Sequence, residues 1–184
     1  AAPREGFATG SAALDAALPD GGWPRRGLVE ILVPRFGSGE LALWAPLIRR
    51  LTHAETPRWC TFVAPPFEPF APAWQQEGAR LDRLLVVQSR PAESLWALEQ
   101  CLLSGVCALG IAWPQAAGMT ELRRLALAAE RGASLGVLIR PACAAREHTA
   151  ATLRIALTRT ATHLRLDLLK GRGLAPRVVQ VALP

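Results

Sequence analysis

The sequence predicts an α/β domain in three layers, with a mostly parallel sheet between helices and antiparallel strands at its C-terminal end. Three observations predict it. Apolar runs at 28–33, 59–64, 84–87, 106–113 and 134–139 alternate with amphipathic stretches of helical period. These runs are nearly continuous in their apolar character, as strands covered on both faces are. From Leu153 onward the pattern becomes strict alternation with no helix between strands, which reads as a half-buried antiparallel extension.

Taken in order, residues 1–8 read as a loose lead-in. Thr9 or Ser11 then caps a short helix whose apolar face is Ala12, Leu14, Ala17 and Leu18. PDGGWP ends it with consecutive turn formers, leaving Trp23 as a wedge at the core edge or an exposed contact. Residues 28–33 form the first strand, Pro34 to Gly39 a turn, and Leu41 to Leu51 a helix that Pro46 either bends or opens. Arg49 and Arg50 fall near its end, where positive charge suits the helix dipole.

The second strand, Trp59 to Ala64, runs into PPFEPFAPAW, a stiff proline-rich segment that carries Phe67, Phe70 and Trp74. Two readings stand. The segment is a partner-binding lip, because rigid aromatics lose little entropy on binding, or it folds back over the sheet edge. A short helix over 74–80 and a strand over 84–87 follow. Ser89 or Pro91 begins a helix lined by Leu95, Leu98, Leu102 and Leu103, and Gly105 ends it. Val106 to Trp113 is expected as the central strand, then a helix from Met119 to Glu130 with Leu122, Leu125, Leu127 and Ala129 apolar. A fifth strand over 134–139 leads to the period-two segments around Leu153, Leu164 and Val178.

At 184 residues the chain is long enough for one well-buried domain and short for two, so one domain over 1–184 is expected. Hydrophobic residues at 51% and charged residues at 20% argue against disorder. No uninterrupted apolar stretch reaches the roughly 18–20 residues that cross a bilayer, and the first residues lack a signal-peptide pattern. The expected location is the cytoplasm, with no membrane contact. Cys60, Cys101, Cys107 and Cys143 lack CxxC spacing and read as buried free thiols; His53, His148 and His163 are scattered, so no metal ligand set is expected.

The stretch that raises the question of chemistry is GLVEILVPRFGSGEL, residues 27–41. An apolar strand, a Gly-rich turn and a helix are the local plan of a phosphate-binding loop. The working loop needs GxxxxGK and then Ser or Thr: backbone N–H groups cradle phosphate, the lysine neutralises it and the hydroxyl holds magnesium. Here Pro34, Arg35, Gly37 and Gly39 make the turn, but Glu40 follows the last glycine and Leu41 follows Glu40. A carboxylate there repels the anion that a lysine would hold. The later strand should end in a magnesium-organising aspartate and ends instead in Ala112, Trp113 and Pro114. With both elements degenerate, no cofactor and no ATPase activity are expected. No nucleophile elbow, HExxH or GxGxxG pattern offers other chemistry, and Glu30 with Glu40 makes only a weak acid/base pair.

The net charge of +6 is unevenly placed. Residues 140–184 hold Arg140, Arg146, Arg154, Arg159, Arg165, Lys170, Arg172 and Arg177 against Glu147 and Asp167. Lys170, Arg172, Arg177, Arg154 and Arg165 are therefore the candidate contacts to DNA or an acidic partner, the alternative being an ordinary solvated face.

TGSAALDAALPDGGWPRRGLVEILVPRFGSGEL, WCTFVAPPFEPFAPAW, LLVVQSRPAESLWALEQCLLSG, ALGIAWP, LRRLALAAERGASLGVLIRP and LLKGRG together resemble the ImuA family, the accessory proteins of bacterial SOS mutagenesis. More widely they resemble the degenerate branch of the RecA fold that includes the cell-division inhibitor SulA. The resemblance spans nearly the whole chain and implies a RecA-like three-layer core with a degenerate P-loop. It also implies partners: an ImuB-like inactive Y-family polymerase relative, RecA, and an error-prone C-family polymerase. A SulA-like chain would instead bind FtsZ and block its polymerisation. In either case the resemblance implies a protein that binds rather than catalyses.

Overall fold

The computed structural model describes residues 6–56, 58–174 and 177–183. Of the expected lead-in, residues 1–5 lie outside the described residues, as do 57, 175, 176 and 184. Phe7 is tied down, because it bridges antiparallel to Trp23.

One sheet organises the molecule. Its strands are β1 (Gly27–Val33), β2 (Trp59–Val63), β3 (Leu84–Val87), β4 (Cys107–Ala112), β5 (Leu135–Pro141), β6 (Leu153–Arg159), β7 (His163–Lys170) and β8 (Arg177–Ala182). They lie in the order β3-β2-β4-β5-β1-β6-β7-β8. Every pair from β3 across to β6 is parallel, and β6–β7 and β7–β8 are antiparallel. The mixed α/β class is thus as expected, with one correction: β6 still belongs to the parallel part, and the antiparallel extension starts at β7. β4 is an inner strand, but the middle of the sheet is β5 and β1.

Alternation along β1 divides the two cores. Val29, Ile31 and Val33 face the side that holds α1 (Ala12–Ala17), α2 (Ala45–Thr52) and α3 (Ala71–Gln76), together with Leu14, Leu47, Phe62 and Trp74. Leu28 faces the other side, where α4 (Ser94–Leu103) and α5 (Met119–Arg131) bring Leu98, Leu102, Leu122 and Leu125. Trp23 is fully buried and stacks on Trp44 with ring centroids 4.4 Å apart, which resolves it as a core wedge.

Local chemistry explains the helix ends. Ser11 caps α1 by accepting the Leu14 N–H at 3.4 Å. The predicted helix from Leu41 divides into a 3₁₀ turn, Glu40–Leu43, and α2, with Pro46 in the first turn of α2 where its missing N–H costs nothing. The helix expected over 74–80 lies earlier, at Ala71–Gln76: Pro72 starts it and Gly78, at φ +80°, turns the chain out. Ala12, Leu103 and Leu127, read as apolar-face residues, are exposed, since α1, α4 and α5 each bury a narrower stripe than the sequence suggested. Arg58 ties the lower edge together by donating to the carbonyls of Cys107, Gly132 and Ala133 at 2.6–2.8 Å. Of the cysteines, Cys60 and Cys107 are buried, but Cys143 is exposed on the turn after β5, contrary to the expectation of buried thiols throughout.

Candidate functional site

The carboxyl ends of parallel strands gather their following loops at one edge, which is where open α/β sheets bind ligands. Here the loops after β1, β2 and β4 meet. Gly37 and Gly39 take φ values of +79° and +89°, so the turn keeps the left-handed geometry that the glycines permit. Ser38 closes it by donating its hydroxyl to the Arg35 carbonyl at 2.6 Å.

Glu40 is buried, with 3% of its surface exposed, and folds back into the turn. Its Oε1 accepts the Gly37 N–H at 2.9 Å and the Trp113 indole N–H at 3.3 Å. A backbone N–H of the kind that would cradle a phosphate is thus satisfied by the protein's own carboxylate. Trp113, where a magnesium-organising acid was sought, completes the arrangement. The two departures from the nucleotide-binding pattern are one structural unit. Glu40 Oε2 is buried and meets no hydrogen-bond partner among the described residues.

Beside this unit lies a groove of about 380 Å³, lined by the glycine turn, Glu40, Trp113, residues 65–70, Trp74, Glu77 and Arg159. Phe67 lies over the turn, its ring 3.1 Å from where a Cβ on Gly37 would stand. Phe67 and Phe70 are 65% and 69% exposed. Trp74 does not join them: it is buried against Phe62 at 5.2 Å between centroids, so it is a core residue and not part of an exposed contact loop. The proline-rich segment packs inward at its Trp74 end and leaves Phe67 and Phe70 exposed in its middle. Arg159 was missed as a site residue. As β6 is parallel to β1, the end of β6 arrives at the same edge, and that pairing would have revealed it.

The predicted basic contacts divide. Arg165, Lys170, Arg172 and Arg177 are exposed; Arg165 pairs with Asp167 at 3.0 Å, and Lys170 donates to the Thr149 carbonyl at 2.9 Å. Lys170 and Arg172 line different clefts, so the sheet end does not focus them on one spot. Arg154 is not a surface contact. It is buried, donates to Glu30 Oε2 at 2.7 Å and to the Glu147 carbonyl at 2.7 Å, and sits in register with Glu30 across β1 and β6. Arg140 donates to the other Glu30 oxygen at 2.8 Å and to Glu147 Oε2 at 2.6 Å. Burial opposes the Arg140 charge, but the bonds from Glu30 and Glu147 outweigh it and raise the guanidinium's pKa. Glu30 therefore sits at the centre of a buried ionic network, bonded to both arginines rather than paired with Glu40.

No family model matches the chain. It is 32% identical, over 142 residues, to the proteins named ImuA in two strains of Caulobacter vibrioides, a match covering 74% of this chain and 58% of those relatives. Among solved structures it is similar to SulA from Pseudomonas aeruginosa, with a TM-score of 0.51, 25% identity, and coverage of 61% of this chain and 97% of that one. The chain is a member of the ImuA-like/SulA-like family. It spans somewhat over half the length of the curated relatives it matches. The family's α/β fold is the setting of the glycine turn, which Glu40 and Trp113 fill from within. Among the described residues no helix is long and apolar enough to cross a membrane.

Proposed function

We propose that the chain is a non-catalytic accessory protein of error-prone translesion DNA synthesis in the SOS response. In this role it links an ImuB-like inactive Y-family polymerase relative and an error-prone C-family polymerase to RecA or to DNA, in the cytoplasm and at the nucleoid when active. The observation that carries the non-catalytic part is the Glu40 carboxylate bonded to the Gly37 N–H and the Trp113 indole, which together occupy both elements an ATPase would need. The similarity to ImuA proteins supports the mutagenesis role. The exposed Arg165, Lys170, Arg172 and Arg177 are the proposed contacts to DNA or a partner, and Phe67 and Phe70 a proposed protein-contact loop.

A second reading, inhibition of cell division through FtsZ, is favoured by the structural similarity to SulA. Side-by-side pull-downs with an ImuB-like protein, RecA and FtsZ separate the two. Retention of the ImuB-like protein or RecA supports the first, and retention of FtsZ alone sinks it. Magnesium-ATP should leave the melting temperature unchanged; an ATP-induced rise would overturn the pseudo-ATPase part. Replacing Lys170, Arg172 and Arg177 together by alanine should weaken salt-sensitive DNA binding, and unchanged binding removes them from the DNA contact.

A further inference from the structure

The carboxyl edge of the sheet carries an unpartnered acceptor beside an apolar groove, and the two features call for one kind of occupant. Glu40 is part of the groove lining, and its Oε2 is buried with no donor among the described residues. A buried carboxylate oxygen without a partner is costly, so a donor supplied from outside gains more there than at the surface. The ionisable lining is Glu40, Glu68 and Glu77 against Arg159, an acidic balance in a chain whose net charge is +6. The walls are the exposed rings of Phe67 and Phe70 with Pro65, Pro66 and Pro69, which accept aliphatic stems and the flat face of a guanidinium.

We propose that this groove is a socket for an arginine side chain presented, between apolar neighbours, by an extended segment of a protein partner. A small rotation of the Glu40 carboxylate turns the buried Oε2 towards the groove, where the guanidinium donates to it and stacks on Phe67 or Phe70, while its stem and the flanking apolar side chains cover the prolines. Arginine fits better than lysine because its charge is delocalised over a plane, less strongly hydrated, and able to stack and donate at once. The socket rests on the groove's own geometry and stands apart from which SOS partner supplies the segment.

The test titrates the ¹⁵N-labelled chain with the capped tripeptide leucyl-arginyl-leucine and with its citrulline isostere, which keeps the shape and removes the charge. The Trp113 indole N–H and the Gly37 amide are the reporters. The arginine peptide should shift both, and the isostere should bind at least about tenfold more weakly, the effect of one charge-assisted hydrogen bond. Glu40→Gln should reproduce that loss. The exposed pair Phe67→Ala and Phe70→Ala, which leaves the buried unit intact, should weaken binding by a similar factor. Equal affinity for the isostere, unchanged affinity in the double phenylalanine variant, or no shift at either reporter would each overturn the socket. A chain that binds the arginine peptide but retains none of the SOS proteins keeps the socket and loses the functional reading; the reverse result does the opposite.

Discussion

Glu40 Oε1 accepts the indole N–H of Trp113 at 3.3 Å across the carboxyl edge of the sheet. The residues come from segments 73 positions apart, and each stands where the sequence pattern of a phosphate-binding loop would lead one to expect a different group. Either change alone would leave half of a site. A carboxylate without the indole would lose one of its two donors, and an indole without the carboxylate would bury an unpartnered N–H. Their contact makes the pair self-consistent and ties the glycine turn to the end of β4.

If the pair is coupled, Trp113→Phe should cost more stability in the native chain than in a Glu40→Gln background, because the bond to the indole loses its charge assistance. The expected difference in a double-mutant cycle is about 1 kcal/mol, read from urea denaturation of the four variants. Additivity within about 0.4 kcal/mol would mean the contact is proximity without energetic consequence.

The Arg140–Glu30–Arg154 network gives a sharper stability test. Glu30 is fully buried between two guanidinium groups on neighbouring strands. Glu30→Gln keeps the shape and leaves both cations without their anion, which should cost about 3–5 kcal/mol. Replacing Glu30, Arg140 and Arg154 together by leucine or methionine should recover most of that loss. A glutamine variant as stable as the native chain would show that Glu147 alone carries the arginines.

The contrast between these two sites shows how far the sequence is legible. Strand positions, the glycine turn and the helical layers follow from period and composition, since burial on both faces forces continuous apolar runs in the inner strands, although the edge strand β3 carries such a run with Leu85 and Val86 exposed. The role of Arg154 does not. Its place in an alternating strand assigns it to the face opposite Leu153 and Ile155, but the pattern is silent on what covers that face, and the segment at Glu147 does so. Trp74 was misplaced for a related reason: composition marks a proline-aromatic segment as a whole, while the start of α3 turns one of its rings inward. The Glu40–Trp113 bond joins two departures that the sequence shows separately and only the sheet order brings together.

Gly132 tests packing where no conformational argument applies. Its φ of −82° suits any residue, yet an added Cβ would lie 1.7 Å from the Leu102 carbonyl oxygen, where the end of α4 meets the turn after α5. Gly132→Ala must therefore shift backbone and should cost more than about 3 kcal/mol. Gly105→Ala is the matched control: its Cβ meets open space and only the φ of +74° is unfavourable, for about 1–2 kcal/mol. Thermal melts should rank the two variants in that order, and similar losses would remove the steric explanation.

Thiol chemistry gives the pH dependence. Burial pushes the Cys60 thiol far above its ordinary value, with Cys107 adding to the effect, and pushes Cys107 from 9.0 up to about 11. Neither group ionises in the folded chain near neutrality, while Cys143 is exposed. Iodoacetamide at about pH 8 should therefore label Cys143 and spare Cys60 and Cys107 until the chain unfolds. The linkage has a definite sign. With the folded pKa above the unfolded one, full stability is kept below about pH 9, and part of it is lost as the pH rises from there towards 11, because only the unfolded chain forms the thiolates. Replacing Cys60 and Cys107 together by alanine should flatten that alkaline decline even though it lowers stability at neutral pH. Mass spectrometry of the labelled peptides and melting temperatures across the alkaline range read both effects; early labelling of Cys60 in the folded chain would contradict its burial.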